Sequence, residues 1–177
     1  MGVFKSLWQS AIKEGKVHLQ LRTAQLDGSH TPCFRGGEAV GYQGRKRRKT
    51  CNMLYITDEQ GLVLGSSNPK SGNHHDVHQI QKSFLELIEQ LEELALSLDG
   101  LIINADSGFD SQELRLLCQE KGIECNFDLN PRKGQTSDRE EYFDEEFYKV
   151  RFVIERSFAW LDAFKALLIR YEKTARN

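Results

Sequence analysis

A short apolar run, Leu101–Asp106, is the feature that most constrains how this chain can fold. The run ends on a carboxylate, and Ser107 and Gly108 follow it as a turn signal. Such a pattern predicts a buried strand of a parallel type. In α/β sheets, ligands and reacting groups lie at the carboxyl ends of parallel strands, so Asp106 is a candidate site residue. The alternative is that Asp106 merely begins a turn.

Periodic segments on both sides of this strand predict helices. A capping box, Asp76-x-x-Gln79, predicts the start of a long helix before the strand. A second box, Asp110-x-x-Glu113, predicts a helix after it, and Ile123–Leu129 predicts the next strand. Strand, helix and strand form a βαβ unit, so the sequence predicts an α/β fold. The apolar stripe of the long helix consists of Val77, Ile80, Phe84, Leu87, Ile88, Leu91, Leu94 and Leu98.

The rest of the chain divides into further helices, strands and loops. Helical spacing predicts helices over Val3–Lys13 and Phe143–Phe164. A weaker strand pattern covers Leu21–Asp27, and Thr50–Thr57 with Leu62–Ser66 predicts a hairpin. The polar segments between these elements are predicted loops: Thr31–Gly44, Asn68–Asp76 and Asn130–Glu141.

Length and composition predict a single domain over residues 1–177, with enough apolar residues (39%) to bury a core. The net charge of −2 excludes a global positive field, so any contact with a polyanion must come from a local patch. The four cysteines lack C-x-x-C spacing, which indicates reduced cytosolic thiols rather than disulfides or a zinc site. We find no signal peptide, and no apolar run approaches the ~18 residues that a membrane helix needs.

Three carboxylates occupy positions from which they could converge. Asp27 and Asp106 both end predicted strands, and Glu155 lies on the predicted C-terminal helix. If the two strands are neighbours, the two aspartates meet, and Glu155 can reach across the sheet as the third acid. Oxygen ligands suit Mg²⁺ or Mn²⁺ rather than zinc, and two such ions about 3.5–4 Å apart can hold a phosphodiester. The alternative for Asp27 is an ordinary Asp-Gly turn.

An uninterrupted basic run precedes the hairpin and consists of Arg45, Lys46, Arg47, Arg48 and Lys49. Because a predicted strand follows directly, the run lies at the rim of the sheet. A basic cluster at such a rim is suited to gripping phosphates. The alternatives are a solvated face or, in other settings, a localisation signal.

Five motifs, in this order along the chain, resemble one known family. Leu26-Asp27-Gly28-Ser29-His30 and Ala105-Asp106-Ser107-Gly108-Phe109-Asp110 look like its first-Asp and second-Asp motifs. Gly44–Thr50 resembles its basic lead-in to the second strand, and Gly72-Asn73-His74-His75-Asp76 its loop before the first long helix. Tyr148-x-x-Arg151-x-x-x-Glu155-Arg156-x-Phe158-x-Trp160-Leu161 resembles its third-acid helix. The family is the DDE-type transposases of bacterial insertion sequences, and the similarity runs from about Ala24 to Tyr171.

The resemblance implies an RNase H-like fold, with a five-stranded mixed sheet flanked by helices. It implies that Asp27, Asp106 and Glu155 bind two Mg²⁺ (or Mn²⁺) ions, which cleave transposon ends and transfer the strands into target DNA. Tyr148 and Arg151 carry over as phosphate contacts, and helical spacing puts both on the face of Glu155. The alternative is a surface ion pair between Arg151 and Glu155, worth only tenths of a kcal/mol.

The resemblance also implies partners and a location. We expect a homodimer on DNA, in the bacterial cytoplasm at the nucleoid. We further expect this chain to be the catalytic part alone, with a separate N-terminal DNA-binding polypeptide that reads the transposon ends. One departure is Asp162, which stands where the family often has a basic residue. The alternative functions are a non-transposing nuclease and an inactive DNA-binding remnant, although the presence of all three acids argues against the remnant.

Three histidines near the start of the long helix, His74, His75 and His78, suggest a zinc site, since His74 and His78 are four residues apart. No third ligand has suitable spacing, and the histidines straddle the predicted helix cap. We expect them instead to cap the helix or to lie near the DNA.

Overall fold

In a computed structural model of the protein, the described residues are 3–128, 143–164 and 168–175. These residues form one sheet and five helices. The strands are β1 (Thr23–Pro32), β2 (Gly41–Gln43), β3 (Arg48–Thr57), β4 (Val63–Ser66), β5 (Lys70–Ser71), β6 (Ile102–Ala105) and β7 (Glu124–Phe127). The helices are α1 (Val3–Lys13), α2 (Ile80–Glu93), α3 (Gln112–Glu120), α4 (Glu145–Lys149) and α5 (Phe152–Ala163).

The sheet is mixed, and its main path of five strands runs β2-β3-β1-β6-β7. β1 pairs antiparallel with β3 over eight residues, whereas β1, β6 and β7 run parallel. The two further strands, β4 and β5, pair with β3. Because β1 occupies one edge of β3, the short strands β2, β5 and β4 take successive parts of its other edge. This arrangement confirms the predicted α/β fold and its mixed sheet flanked by helices.

One face of the sheet carries the apolar core. β1 contributes Ala24 and Leu26 to it, and β6 contributes Ile103 and Ala105, all fully buried. These side chains pack against the buried side of α2, which consists of Ile80, Phe84, Leu87, Ile88 and Leu91. Burial of a side chain of this size stabilises the fold by about 1.5–3 kcal/mol before entropy is counted. The predicted apolar stripe is confirmed for these residues, but Val77 precedes the helix and is exposed.

The opposite face of the sheet is covered by α4 and α5. Val153 and Ile154 are the buried apolar side chains of α5, and the ring of Phe158 lies edge-on to Tyr55 of β3, with centroids 5.5 Å apart. Ser157 donates to the carbonyl oxygen of Gly61, which joins α5 to the turn before β4. α5 is thereby held across β1 and β3.

Three local predictions are wrong, each for a physical reason. The predicted helix Phe143–Phe164 is two helices, because the backbone bonds around Val150 and Arg151 span three residues instead of four. The cap of α3 is Ser111, whose hydroxyl accepts from the amide of Leu114, instead of the predicted capping box. α2 begins after Gln79, which is left-handed and makes no side-chain cap, because the carboxylate of Asp76 is bonded elsewhere.

Other predictions are confirmed or lie outside the description. α1 has the predicted bounds and contacts the end of α2, where Gln9 donates to Glu93 at 2.7 Å. All four cysteines are free thiols. β2 and β5 fall within two predicted loops, and the predicted loop Asn130–Glu141 lies outside the described residues. Among the described residues, no helix has the length and apolarity needed to cross a lipid bilayer.

Candidate active site

Asp27 lies in the middle of β1, so the prediction that it ends its strand is wrong. β1 continues to Pro32 because its second half, despite glycine and polar residues, pairs with β3 residue by residue. On its other side, β1 pairs with β6 from Thr23 to Gln25 and no further. The amide of Gly28 donates to Oδ1 of Asp27 at 2.8 Å. The carboxylate is therefore held by its own strand, at the point where β6 ends.

Asp106 follows β6 directly and has a similar local arrangement. The amide of Gly108 donates to Oδ1 of Asp106 at 2.8 Å. The parallel register pairs Gln25 with Asn104, so two residues further along Asp27 comes opposite Asp106. Neighbouring strands lie about 4.8 Å apart, and residues two apart share one face. Asp27 and Asp106 therefore occupy neighbouring positions on the sheet face that α4 and α5 cover.

Burial dominates the electrostatics of Asp27. Burial, with smaller contributions from the negative charges of Asp106 and Asp76, raises the pKa of the Asp27 carboxyl to about 6. The Gly28 amide and the guanidinium of Arg151 act in the opposite direction without cancelling the effect. A partly desolvated carboxylate beside a second carboxylate favours an added cation, because the cation relieves both penalties.

Arg151 links Asp27 to Glu155. Its guanidinium lies 3.4 Å from Oδ2 of Asp27 and 3.7 Å from Oε1 of Glu155. Glu155, in the first turn of α5, exposes 66% of its side chain, whereas Asp27 and Arg151 each expose 19%. The predicted i, i+4 pair is therefore present, but Arg151 also reaches the first acid. A guanidinium bridges two of the three candidate acids.

Tyr148 lies beside the same arginine. The guanidinium of Arg151 is 5.6 Å from the centre of the Tyr148 ring, and the ring of Phe143 packs on Tyr148 at 5.1 Å. Burial raises the pKa of Tyr148, so its hydroxyl stays a hydrogen-bond donor at neutral pH. Tyr148, Arg151 and Glu155 share one face, as the sequence spacing predicted.

A buried polar ladder beneath these residues was not predicted. Asn104 donates to Gln25 at 2.9 Å, and Asn126 donates to Asn104 at 2.7 Å. Asn104 also donates to the carbonyl of Phe147, and Asn126 bonds the backbone of Asp144 in both directions. The ladder thus fixes α4, and the Tyr148 that it carries, to the sheet. The only signal in the sequence was an asparagine inside an otherwise apolar strand.

The predicted basic run lies at the tip and start of the β2–β3 hairpin. Arg45, Lys46 and Arg47 form the turn, Arg48 and Lys49 begin β3, and all five residues are exposed. Lys46 donates to the carbonyl of His30 at 3.2 Å, near the end of β1. The run is therefore tied to the same strand as Asp27, three residues beyond it.

Two of the three histidines stack on each other. The rings of His74 and His78 stack with centroids 3.9 Å apart, before the first residue of α2. Across residues 3–128, 143–164 and 168–175, no three His, Cys, Asp or Glu side chains are arranged so that they could hold a metal ion. Asp27 and Asp106 nevertheless offer the hard oxygen donors that Mg²⁺ and Mn²⁺ prefer, and Glu155 is exposed beside them.

Comparison with known proteins identifies the family. The transposase DDE domain family matches residues 20–177, and no curated protein matches the chain. A cryo-EM structure of the piggyBac transposase synaptic complex with hairpin DNA superposes with a TM-score of 0.56 at 11% identity. The match covers 97% of this chain and 46% of that one, so this chain spans about half the length of that transposase. The fold is thus that of a transposase catalytic domain, and the chain belongs to the transposase DDE domain family.

Proposed function

We propose that this domain cleaves phosphodiester bonds at transposon ends and transfers the freed 3′-hydroxyls into target DNA. Two divalent ions, Mg²⁺ or Mn²⁺, would be held by Asp27, Asp106 and Glu155. The observation that carries the proposal is the desolvated carboxylate of Asp27, opposite Asp106 and linked through Arg151 to Glu155. When bound, such ions activate the attacking oxygen and stabilise the leaving oxygen of an in-line displacement.

The residues of the chain have distinct roles in this proposal. Asp27 and Asp106 are the fixed ligands, because a glycine amide holds one oxygen of each. Glu155 is the adjustable ligand, because 66% of its side chain is exposed and its ion pair with Arg151 is long, at 3.7 Å. Arg151 offsets part of the negative charge of Asp27 and Glu155 before DNA binds and then donates to a phosphate, for which its planar guanidinium is well suited. Tyr148, beside Arg151, would donate a hydrogen bond from its hydroxyl to a DNA phosphate.

The basic run at the β2–β3 hairpin would bind the DNA backbone next to the bond that is cleaved. His30, to whose carbonyl Lys46 is bonded, is the third residue after Asp27, which is about 10 Å along a strand. The run from Arg45 to Lys49 would thus contact phosphates near the reacting bond, without reading their sequence.

The proposal includes an assembly on DNA. Transposition joins two ends, so we propose that two copies of this domain act together, each on one end. We propose that a separate polypeptide segment recognises the end sequence. Mass measurement in solution on DNA carrying one or two ends tests the first point. Two copies per paired-end complex are expected, and one copy per complex would contradict it.

A cleavage assay tests the function directly. The wild-type protein and Asp106→Asn are incubated with transposon-end DNA, a target plasmid and Mg²⁺. We expect nicked ends and joined products from the wild type, and unchanged DNA binding without cleavage from the variant. Cleavage without joined products would favour the non-transposing nuclease, and DNA binding without any cleavage by the wild type would favour the inactive remnant.

A further inference from the structure

A fourth carboxylate, that of Asp76, packs against Gly28, the residue that follows Asp27. A side-chain carbon on Gly28 would collide with the carboxylate of Asp76, which would then have to shift. The amide of the same glycine donates to Asp27 at 2.8 Å. The N–H of Gly28 is thus bonded to Asp27, and Asp76 fills the space that a side chain at position 28 would occupy.

Asp76 is itself held by two side chains from the sheet. Nδ2 of Asn52 donates to Oδ1 of Asp76 at 2.6 Å, and Nε2 of His30 lies 3.7 Å from the same oxygen. His30 and Asn52 are a direct cross-strand pair of β1 and β3, so both side chains stand on one face. The other ring nitrogen of His30 contacts Thr50 at 3.1 Å. Asn52 is 1% exposed and the Asp76 side chain is 39% exposed, so the bond between them is partly buried.

This cluster lies on the sheet face opposite to Asp27. Gly28 and His30 alternate with Asp27 along β1, and they share the face of Leu26, which belongs to the apolar core. Polar groups on a buried face lower stability unless they are paired. The cluster also lies where β1 has lost its neighbour, since β6 pairs with β1 only up to Gln25. Beyond that point β1 is held by β3 on one side, and Asp76 supplies a support from the core face.

We propose that Asp76 is a positioning residue for DNA cleavage, which clamps Gly28 from the core face and thereby fixes the carboxylate of Asp27 on the other face. This inference rests on the proposed function and extends it to a residue outside the three candidate acids. Asp76 touches neither DNA nor the reacting atoms in this role. Its contribution is to keep β1 in the geometry in which the Gly28 amide holds Asp27. Supporting partners of metal ligands typically change metal affinity or activity 10–100-fold when they are removed.

Two substitutions separate position from charge. Asp76→Ala removes the contact with Gly28 and the acceptor for Asn52, whereas Asp76→Asn keeps the size and an acceptor oxygen. We expect Asp76→Ala to slow single-turnover cleavage about 10–100-fold with unchanged DNA affinity, and to need more Mg²⁺ for half the maximal rate. The cleavage rate of Asp76→Asn should stay within about threefold of the wild-type rate, because asparagine has the same shape as aspartate.

Glu86→Gln is the control, because Glu86 is another acid that accepts a hydrogen bond, from the backbone amide of Asn68 at 2.8 Å, and it lies on α2. We expect its cleavage rate and metal requirement to equal those of the wild type. Wild-type cleavage by Asp76→Ala would overturn the proposal. Parallel losses of rate, DNA binding and melting temperature in Asp76→Ala would also overturn it, because they would indicate a merely structural role.

A readout without catalysis keeps the clamp testable even if the domain proves inactive on DNA. Hydrogen exchange of the Gly28 amide in the metal-free protein should speed up at least tenfold in Asp76→Ala and little in Asp76→Asn. Gly28→Ala should lower the urea midpoint of the wild type but hardly that of Asp76→Ala, since the collision is then gone. Unchanged Gly28 exchange, or equal effects of Gly28→Ala in both backgrounds, would contradict the clamp. A wild type that never cuts DNA would contradict only the proposed function.

Discussion

Replacing Asp27 with asparagine should stabilise the metal-free fold while it abolishes cleavage. Burial raises the pKa of Asp27 from its ordinary value of 3.8 to about 6. Above pH 6 the carboxylate is charged in both the folded and the unfolded chain, but the charge is less favourable in the folded one. A neutral amide of the same shape removes this penalty. Residues at functional sites commonly lower the stability of the fold, because activity requires groups that are unfavourable in the folded state.

The size of the effect follows from the pKa difference. One pKa unit corresponds to 1.36 kcal/mol, so the shift from 3.8 to about 6 amounts to about 3 kcal/mol. This is an upper value, because Asp27→Asn also weakens the contact with Arg151 at 3.4 Å. For a domain of this size, such a gain raises the melting temperature by roughly 6–12 °C.

The stability difference between the wild type and Asp27→Asn should depend on pH. Below about pH 3 the carboxyl is protonated in the folded chain and mostly so in the unfolded one, so wild type and Asp27→Asn should melt together. Between about pH 3 and pH 6 the unfolded chain ionises first, and the wild type loses stability relative to the variant. Above pH 6 the difference should be constant.

Thermal melts of both proteins from pH 4 to pH 8, without divalent ions, test this expectation. Asp162→Asn is the matched control, since it removes one negative charge from an exposed position on α5 and should show no such pH-dependent gain. Added Mg²⁺ should stabilise the wild type but not Asp27→Asn. A variant that is no more stable than the wild type at pH 8, or equally more stable at pH 4, would refute the desolvation argument.

Three further predictions concern the surroundings of the site. Changing Arg47 and Arg48 to glutamine should weaken DNA binding for all sequences and reduce the slope of log affinity against log salt by about 2, as measured by fluorescence anisotropy; an unchanged slope would reject phosphate contacts there. Arg151→Ala should raise the pKa of Asp27 further in the metal-free protein, as followed by carbon-detected NMR, because the opposing positive charge is lost; a lower pKa would contradict the ion pair. Asn104→Leu should lower the free energy of unfolding by roughly 1–3 kcal/mol in urea melts, since it leaves the buried partners of the amide unsatisfied; a stabilised variant would show that the ladder does not hold α4.

Much of the fold was predictable because local and tertiary preferences agree there. The apolar run at β6 is buried on both faces, so its pattern alone predicted the central strand and put Asp106 at its end. The spacing in the C-terminal region predicted that Tyr148, Arg151 and Glu155 share a face, which holds although two helices replace one. Helical period survives a tightened turn, because the three-residue bonds shift the face only slightly.

Other features could not be predicted because tertiary partners decide them. The second half of β1 contains glycine, serine and histidine, which are poor strand formers, yet pairing with β3 extends the strand to Pro32. The carboxylate of Asp76 suited a helix cap by spacing, but Asn52 and His30 bind it instead. Arg151 contacts Asp27 across 124 positions of sequence, and no local pattern encodes such a pair.

The most direct test of the central claim is a crystal or cryo-EM structure of the domain on transposon-end DNA with Mn²⁺. We expect divalent ions between Asp27 and Asp106, Glu155 turned in to join them, and Arg151 moved from Asp27 to a phosphate. Ions bound elsewhere, with Glu155 turned away and the two aspartates too far apart to share one, would contradict the proposed catalytic centre.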